Sequence, residues 1–552
     1  MDATAQLCES IVSRWSFAAK PYGYDAASRL VLVSNVQSSI PFSATYSYLA
    51  NSSLVGQIAF KHGGATAMTT TKQYDYLNRL TSIASTPAGA GQFPVSYAYG
   101  YNAANQRVSR NDWDGPHWNY GYDSLGQVTN GTKYWADNKP VPGEQFGYAF
   151  DNIGNRRATT QGGDSSGGSL RSAAYGVNDL NQCIIRTVPN GFDVLGIANV
   201  AATVTINGSG VDYQRGEFYH KLFNATNSSA PVWVSVTNTA TYSGASNSVV
   251  GSWFIPTTPE QFTYDFDGNE TSDGRFTNYW DAENRLLTVS NTASIATNGQ
   301  YLVNFTYDYM GRRIQKVVST NSGTNWVTSY TDKFIYDGWN VVAILDGSNI
   351  LLYSFVWGND LSGSVQAAGG VGGLISMTVY SGTNAGTYFY GYDGNGNVMA
   401  LMNATTGVIA AQYEYGPFGE VIQASGPMAF SNPFRFSTKC QDDETGFLYY
   451  GYRYYNPSTG RWQSRDPMEE KGGANIYAFI GNQPINDYDL IGAITVGESL
   501  DVRDNGVSIG FVRISAYQTQ PLSGIVDWNT DAIGAKILAT PHVDCSCGCS
   551  FK

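Results

Sequence analysis

One seven-residue phrase recurs through the chain and narrows its fold more than any other feature. It reads aromatic, Asp or Asn, two variable residues, Gly or Asn, a polar residue, then often Arg or Leu. Copies are "YDAASRL" from Tyr24, "YDYLNRL" from Tyr74, "YNAANQR" from Tyr101, "YDSLGQV" from Tyr122 and "FDNIGNR" from Phe150. Further along come "YDFDGNE" from Tyr264, "WDAENRL" from Trp280, "YDYMGRR" from Tyr307, "YDGWNVV" from Tyr336 and "YDGNGNV" from Tyr392. A degenerate copy starts at Val177 and a weak one, "YGPFGEV", at Tyr415. Each reads as a β-hairpin. The aromatic closes one strand, the Asp or Asn side chain folds back onto the turn, Gly or Asn accepts the positive φ, and Arg or Leu opens the return strand. A lone hairpin is marginal in water, so the copies are expected to zip edge to edge into one growing, curved sheet.

Composition agrees with an all-β chain. Thirty-nine Tyr and 61 Gly stand beside only 14% charged residues, a balance that suits pleated strands and tight turns and excludes both disorder and a helical bundle. Tyr is sticky along its ring and tolerates water at its hydroxyl, so a wall rich in Tyr is expected to line a space instead of filling a solid core. The expected architecture is a spiralling antiparallel sheet of hairpins forming a hollow shell.

The phrase divides the chain. Residues 1–189 and 259–424 read as two parts of the repeat shell, separated by 190–258, where the phrase disappears and alternating apolar and polar residues predict an inserted β-rich module. The Gly/Ser-rich stretch "DLSGSVQAAGGVGGL" from Asp360 reads as a mobile loop or a wide connection. Residues 425–492 form a segment of another kind, and 493–552 a variable tail.

The formal net charge is −12, with no basic run interleaved with aromatics, so no nucleic-acid partner is expected. The first twenty residues lack a basic start followed by an apolar stretch, so no signal peptide is visible, and no segment is apolar enough to span a bilayer. Cys8, Cys183 and Cys440 are scattered and read as free thiols. His542, Cys545, Cys547 and Cys549 crowd the end of the chain as weak candidates for a soft metal, but their spacing departs from that of structural zinc sites. No metal and no cofactor is expected. "GGDSSGGS" from Gly162 has the look of a serine nucleophile loop and reads as a linker.

The segment "RFSTKCQDDETGFLYYGYRYYNPSTGRWQSRDP", residues 435–467, is followed by "NIYAFIGNQPINDYDLIG". With the upstream phrases it closely resembles the RHS-repeat-associated core that ends the YD-repeat shells of bacterial polymorphic toxins, of the C component of Tc toxins and of teneurins. Tyr449, Tyr450, Arg453, Tyr454, Tyr455, Gly460, Arg461, Asp466 and Pro467 carry that motif. The resemblance implies a β-strip wound into a cocoon, closed by this segment, with the chain's own C-terminal part as enclosed cargo, and a secreted or cell-surface location. It also implies an N-terminal shell portion or a partner chain to complete the wall.

Many bacterial members cut themselves just beyond the core, using acidic residues. Pro484, Asp489 and Gly492 match the first part of that pattern, with a cut near 492–493. Ala493 stands where a bulky apolar residue is common, Leu490-Ile491 replaces the frequent Pro-x, and the downstream Asp501 and Asp504 miss the usual spacing. The chemistry needs two carboxylates that share a proton, one activating water and one protonating the scissile carbonyl. Asp489 with Asp501, or with Asp504 in its place, is one reading. The other is that Asp489 caps a turn beside Gly492 while Asp501 and Asp504 solvate a loop. For the whole chain the rival to a self-cleaving container is a non-enzymatic surface protein presenting residues 190–258 to a carbohydrate or protein ligand.

Overall fold

The computed structural model describes residues 22–35, 41–292, 299–493, 495–496, 499–504 and 507–513. The repeated phrase explains the architecture from its turn upward. In the copy from Tyr74, Asp75 Oδ1 accepts the N–H of Leu77 at 2.9 Å and of Arg79 at 3.0 Å, while Oδ2 accepts Arg79 Nε at 2.6 Å. Asn78 takes φ 61° to let the chain reverse. The same carboxylate clasp recurs at Asp25, Asp123, Asp151, Asp265, Asp281, Asp308 and Asp393, and Asn102 and Asn178 do the same with an amide. In the weak copy Gly416 replaces the acid, and Glu420 supplies the carboxylate from the far side of the turn, accepting Phe418 N–H at 2.8 Å.

The aromatic of the phrase does two jobs. The ladder slips by one residue beside it, at Gln73/Tyr74, Gly100/Tyr101, Ala149/Phe150, Thr306/Tyr307 and Gly391/Tyr392, and such a bulge increases local twist and curls a long sheet. Its hydroxyl is not left to water, as the sequence reading held. Tyr101 donates to Leu80 O, Tyr307 to Leu286 O and Tyr392 to Leu374 O, each at 2.7 Å, and each acceptor is on the preceding hairpin. The Arg of that preceding copy lies over the same ring, Arg79 over Tyr101 at 4.9 Å and Arg312 over Tyr336 at 5.2 Å. Each hairpin is thereby tied to the next through side chains as well as the backbone ladder.

The hairpins build two large antiparallel sheets. The first holds 15 strands in chain order from Tyr22–Tyr24 to Cys183–Arg186, ending with Glu260–Gln261, and the second holds 14 in chain order from Thr263–Tyr264 to Val421–Ser425. The two face one another. Phe389 of the second sheet packs on Phe42 and Phe60 of the first, with centroids 6.1 and 5.2 Å away. Glu414 crosses to Arg110, Trp118 and Lys133 at 3.2, 3.1 and 2.7 Å. Between Arg186 and Glu260 the chain leaves the first sheet. It forms a three-stranded sheet, with Gly191–Ile197 paired to Phe218–Asn224, and a four-stranded sheet in which Val232–Tyr242 pairs with Ala245–Ile255. Phe192, Val204, Ile206, Tyr219, Val236 and Ile255 make a small core of their own there.

The chain is all-β. Among the described residues there is no α-helix, only short 3₁₀ turns such as Phe436–Thr438 and Phe479–Asn482. No helix among them is long and apolar enough to cross a membrane. The Gly-rich stretch from Asp360 is a wide connection, exposed at Ser362 and Gly363 and hydrogen-bonded back onto Asp360. Asp360 Oδ2 accepts Ala368 and Gly370 N–H at 2.7 and 3.2 Å, and Ala368 packs on Leu490.

Candidate functional site

The site is assembled where the closing segment ends. Short strands Cys440–Gln441, Leu448–Tyr449, Tyr454–Asn456 and Arg461–Trp462 form a four-stranded sheet, and its aromatics fasten it to the large sheets. Tyr449 Oη accepts Arg313 N–H at 2.8 Å, Tyr454 meets Tyr307 hydroxyl to hydroxyl at 3.0 Å, and Tyr455 donates to Phe418 O at 2.6 Å. Tyr455 stacks on Phe479 at 3.8 Å, and Tyr450 sits edge-on to Trp462 at 5.0 Å. Arg461 donates to Asn181 O. Gly460, at φ 66°, leaves the room that Arg156 occupies. Pro484 O accepts Asn395 Nδ2 at 2.6 Å, anchoring the approach to Asp489.

Asp489 is fully buried. Its Oδ1 accepts Ile491 N–H at 3.1 Å and Gly492 N–H at 2.7 Å, folding residues 489–492 into a tight turn with Gly492 at φ 78°. A side chain at Gly492 would meet Arg453 N at 3.0 Å and Tyr450 Cβ at 3.2 Å, so glycine is required there on two counts. Oδ2 is buried with no hydrogen-bond partner and faces Arg453 Nη2 at 3.6 Å. That guanidinium joins the parts: Nη2 holds Asp466 at 2.8 Å, and Nε donates to Gly492 O. Lys439 Nζ donates to Leu490 O at 2.6 Å and Gly369 O at 2.9 Å, and Tyr452 N–H to Ile491 O at 2.9 Å.

Burial dominates the electrostatics. It raises the Asp489 carboxyl above the usual carboxylate range, with Arg453, the Gly492 N–H and Lys439 pulling the other way. Burial also raises Asp466 against the pull of Arg453. It lowers Lys439 to about 8, opposed by Asp489 and Asp360. A buried acid inclined to keep its proton thus lies in one cluster with a peptide carbonyl held by a guanidinium. Asp466 and Pro467 border a cavity of about 460 Å³ that Tyr307, Tyr452 and Tyr454 also line.

Asp489 and Gly492 come together with Arg453 and Asp466 in this cluster, and Pro484 lies upstream of it with its carbonyl held by Asn395. Asp501 and Asp504 lie on the strand Ser499–Asp504, paired with Val507–Arg513, and their side chains are outside the described residues. His542, Cys545, Cys547 and Cys549 also fall outside them. Sequence reading missed Lys439 and gave Arg453 only as part of the motif. Both reach residues 490–492 from far along the chain, and nothing in their local sequence marks it.

Residues 255–485 match the family model described as Teneurin YD-shell. Over 237 residues the chain is 32% identical to the tRNA3(Ser)-specific nuclease WapA of Bacillus spizizenii, a match covering 42% of this chain and 9% of that protein. It is 25% identical over 249 residues to double-stranded DNA deaminase toxin A of Burkholderia cenocepacia, covering 43% of this chain and 17% of the relative. A crystal structure of TcdB2–TccC3 with Cdc42 aligns with a TM-score of 0.40 and 14% identity, over 85% of this chain and 23% of the other. The chain therefore spans a small part of the length of the relatives it matches. Over residues 255–485, which hold several of the clasped Tyr-Asp hairpins and most of the closing aromatic segment, the chain is similar to YD-shell proteins.

Proposed function

We propose that the chain is part of a toxin-delivery shell that encloses the residues after its core and frees them by cutting itself after Gly492. One observation carries the reading: Asp489 presents a buried Oδ2 that makes no hydrogen bond and lies 3.6 Å from Arg453 Nη2, while Arg453 Nε holds the Gly492 carbonyl. Similarity to a tRNA-specific nuclease and to a double-stranded DNA deaminase toxin supports it. In the proposed reaction protonated Asp489 gives its proton to the Gly492 carbonyl oxygen, and the Arg453 donor stabilises the charge that develops there. A second carboxylate, Asp501 with Asp504 as its substitute, takes a proton from water, and the hydroxide adds to the carbonyl carbon. Collapse of the tetrahedral diol breaks the bond to Ala493: the second carboxyl gives the departing amine the proton it took from water, one hydroxyl proton returns to Asp489, and the new Gly492 carboxylic acid then ionises to solvent.

The purified chain should give two fragments by denaturing electrophoresis and intact-mass measurement, the smaller beginning at Ala493. Asp489→Asn should leave one band. Arg453→Gln should slow fragment appearance by about 10²-fold, the effect of removing one oxyanion donor. Asp501→Asn and Asp504→Asn identify the base, with Asp466→Asn reporting on the Arg453 brace. A wild-type chain that stays whole through prolonged incubation, from mildly acidic to neutral pH, sinks the self-cutting reading and favours a non-enzymatic surface protein.

A further inference from the structure

The inserted module ends in an unusual edge. Strand Ala245–Ile255 is the outermost of its four-stranded sheet, pairing with Val232–Tyr242 on one side only. All eleven residues are in unbroken register with that neighbour, with no bulge. The first nine, Ala245 to Trp253, are exposed, Val249 at 65% and Val250 at 66%. No proline interrupts the strand, and residues 222–259 contain no Asp, Glu, Lys, Arg or His, in a chain with 32 basic and 44 acidic residues. Charged side chains, proline, bulges and coverage are the devices that keep an edge from pairing. The strand's first nine residues carry none of them.

We propose that this edge pairs antiparallel with the same strand of a second copy of the chain, making a two-fold dimer through a continuous sheet. Charge selects the occupant. Two copies of a chain with net charge −12 repel over most of their surface, and a stretch of 38 uncharged residues is a place where they can meet without opposing like charges. The strand also suits its own reverse. A two-fold axis at Val249 sets Val249 against Val249 and Ser248 against Val250, while an axis at Val250 sets Val250 against Val250 and Ser248 against Ser252. Either register joins β-branched and hydroxyl side chains that pair well across strands. Nine exposed residues make a ribbon about 30 Å long and about 10 Å wide, well under the about 800 Å² per partner of a durable complex, so the dimer is reversible and concentration-dependent. This pairing is independent of self-cleavage, because the module lies upstream of Gly492 in either case.

Sedimentation velocity of the full chain from about 1 to about 200 µM tests it, a range chosen to bracket a weak equilibrium. The sedimentation coefficient of the wild type should rise from monomer to dimer. The double variant V249K/V250K places at least one lysine against its own copy in either register, and should stay monomeric with an unchanged far-UV CD spectrum and melting temperature. V249E/V250E should behave alike, and an equimolar mixture of the two should dimerise again. A wild type that is monomeric throughout overturns the proposal and leaves the edge for a strand of another protein. A dimer that survives V249K/V250K, or variants that fail to recover on mixing, overturns it as well.

Discussion

Asp489 divides its two oxygens between structure and the proposed chemistry: Oδ1 caps the turn at Ile491 and Gly492, and Oδ2 is left facing Arg453. The turn cap expected from the sequence is what Oδ1 makes, and the proposed reaction rests on Oδ2. A second buried carboxylate gives a measurable consequence. Arg110 and Lys133 share their surroundings with Asp112, Glu144 and Glu414, two cations against three acids. The cluster is expected to keep one proton, and burial together with Glu414 pushes Glu144 up to about 8 despite Lys133. A carboxyl raised in the folded state binds its proton there over a pH range where the unfolded chain has lost it. Its stabilisation is complete below its ordinary value and is lost as pH rises through about 8. Glu144→Gln, which mimics the protonated form, should therefore flatten the fall in melting temperature between about pH 5 and about pH 8.5, followed by differential scanning calorimetry.

At the scale of the element, the hairpin turn is the most legible feature of this sequence, because every contact that makes it lies within five residues. Asp308 accepts Met310 N–H and Arg312 N–H at 2.9 Å each and Arg312 Nε at 2.8 Å. Asp308→Ala should cost about 1–2 kcal/mol in urea unfolding, and Asp308→Asn distinctly less, since the amide oxygen still serves the two backbone donors. Where the phrase lost its aromatic the eye missed it. Asp346 follows Leu345 and makes the same clasp, to Ser348 and Ile350 N–H at 2.8 Å each. Asp164 does so within "GGDSSGGS", accepting Ser166 and Gly168 N–H at 2.8 and 3.0 Å, so a string read as a linker is one more hairpin turn. In these two turns the Asp clasp persists where the ring is absent. The partners of the tyrosine hydroxyls were not legible, because each acceptor belongs to the previous hairpin, about twenty residues back.

For the whole molecule, the first sheet treats residues between Arg186 and Glu260 as an excursion, since these two residues face each other across one ladder. Replacing residues 187–259 with Asn-Gly, a two-residue turn suited to such an opposed pair, should leave a cooperative melt and a β-type far-UV spectrum. The large sheets would lose the ion pairs of Arg171 with Asp193 and of Asp137 with Arg215. An unfolded deletion variant would show that the module braces the large sheets. By itself the sequence determined the all-β class, the hairpin turns and the spacing that puts Asp489 and Gly492 in one turn, because these rest on backbone sterics and contacts within a few residues. Only the tertiary structure decided that Arg453, Lys439 and Asp466 gather around that turn, that Glu414 bridges two sheets, and that the Gly-rich stretch from Asp360 is held fast. Those contacts join residues up to about three hundred positions apart, and which groups then share one buried space is set by how the sheets face each other, a quantity no short window of sequence contains.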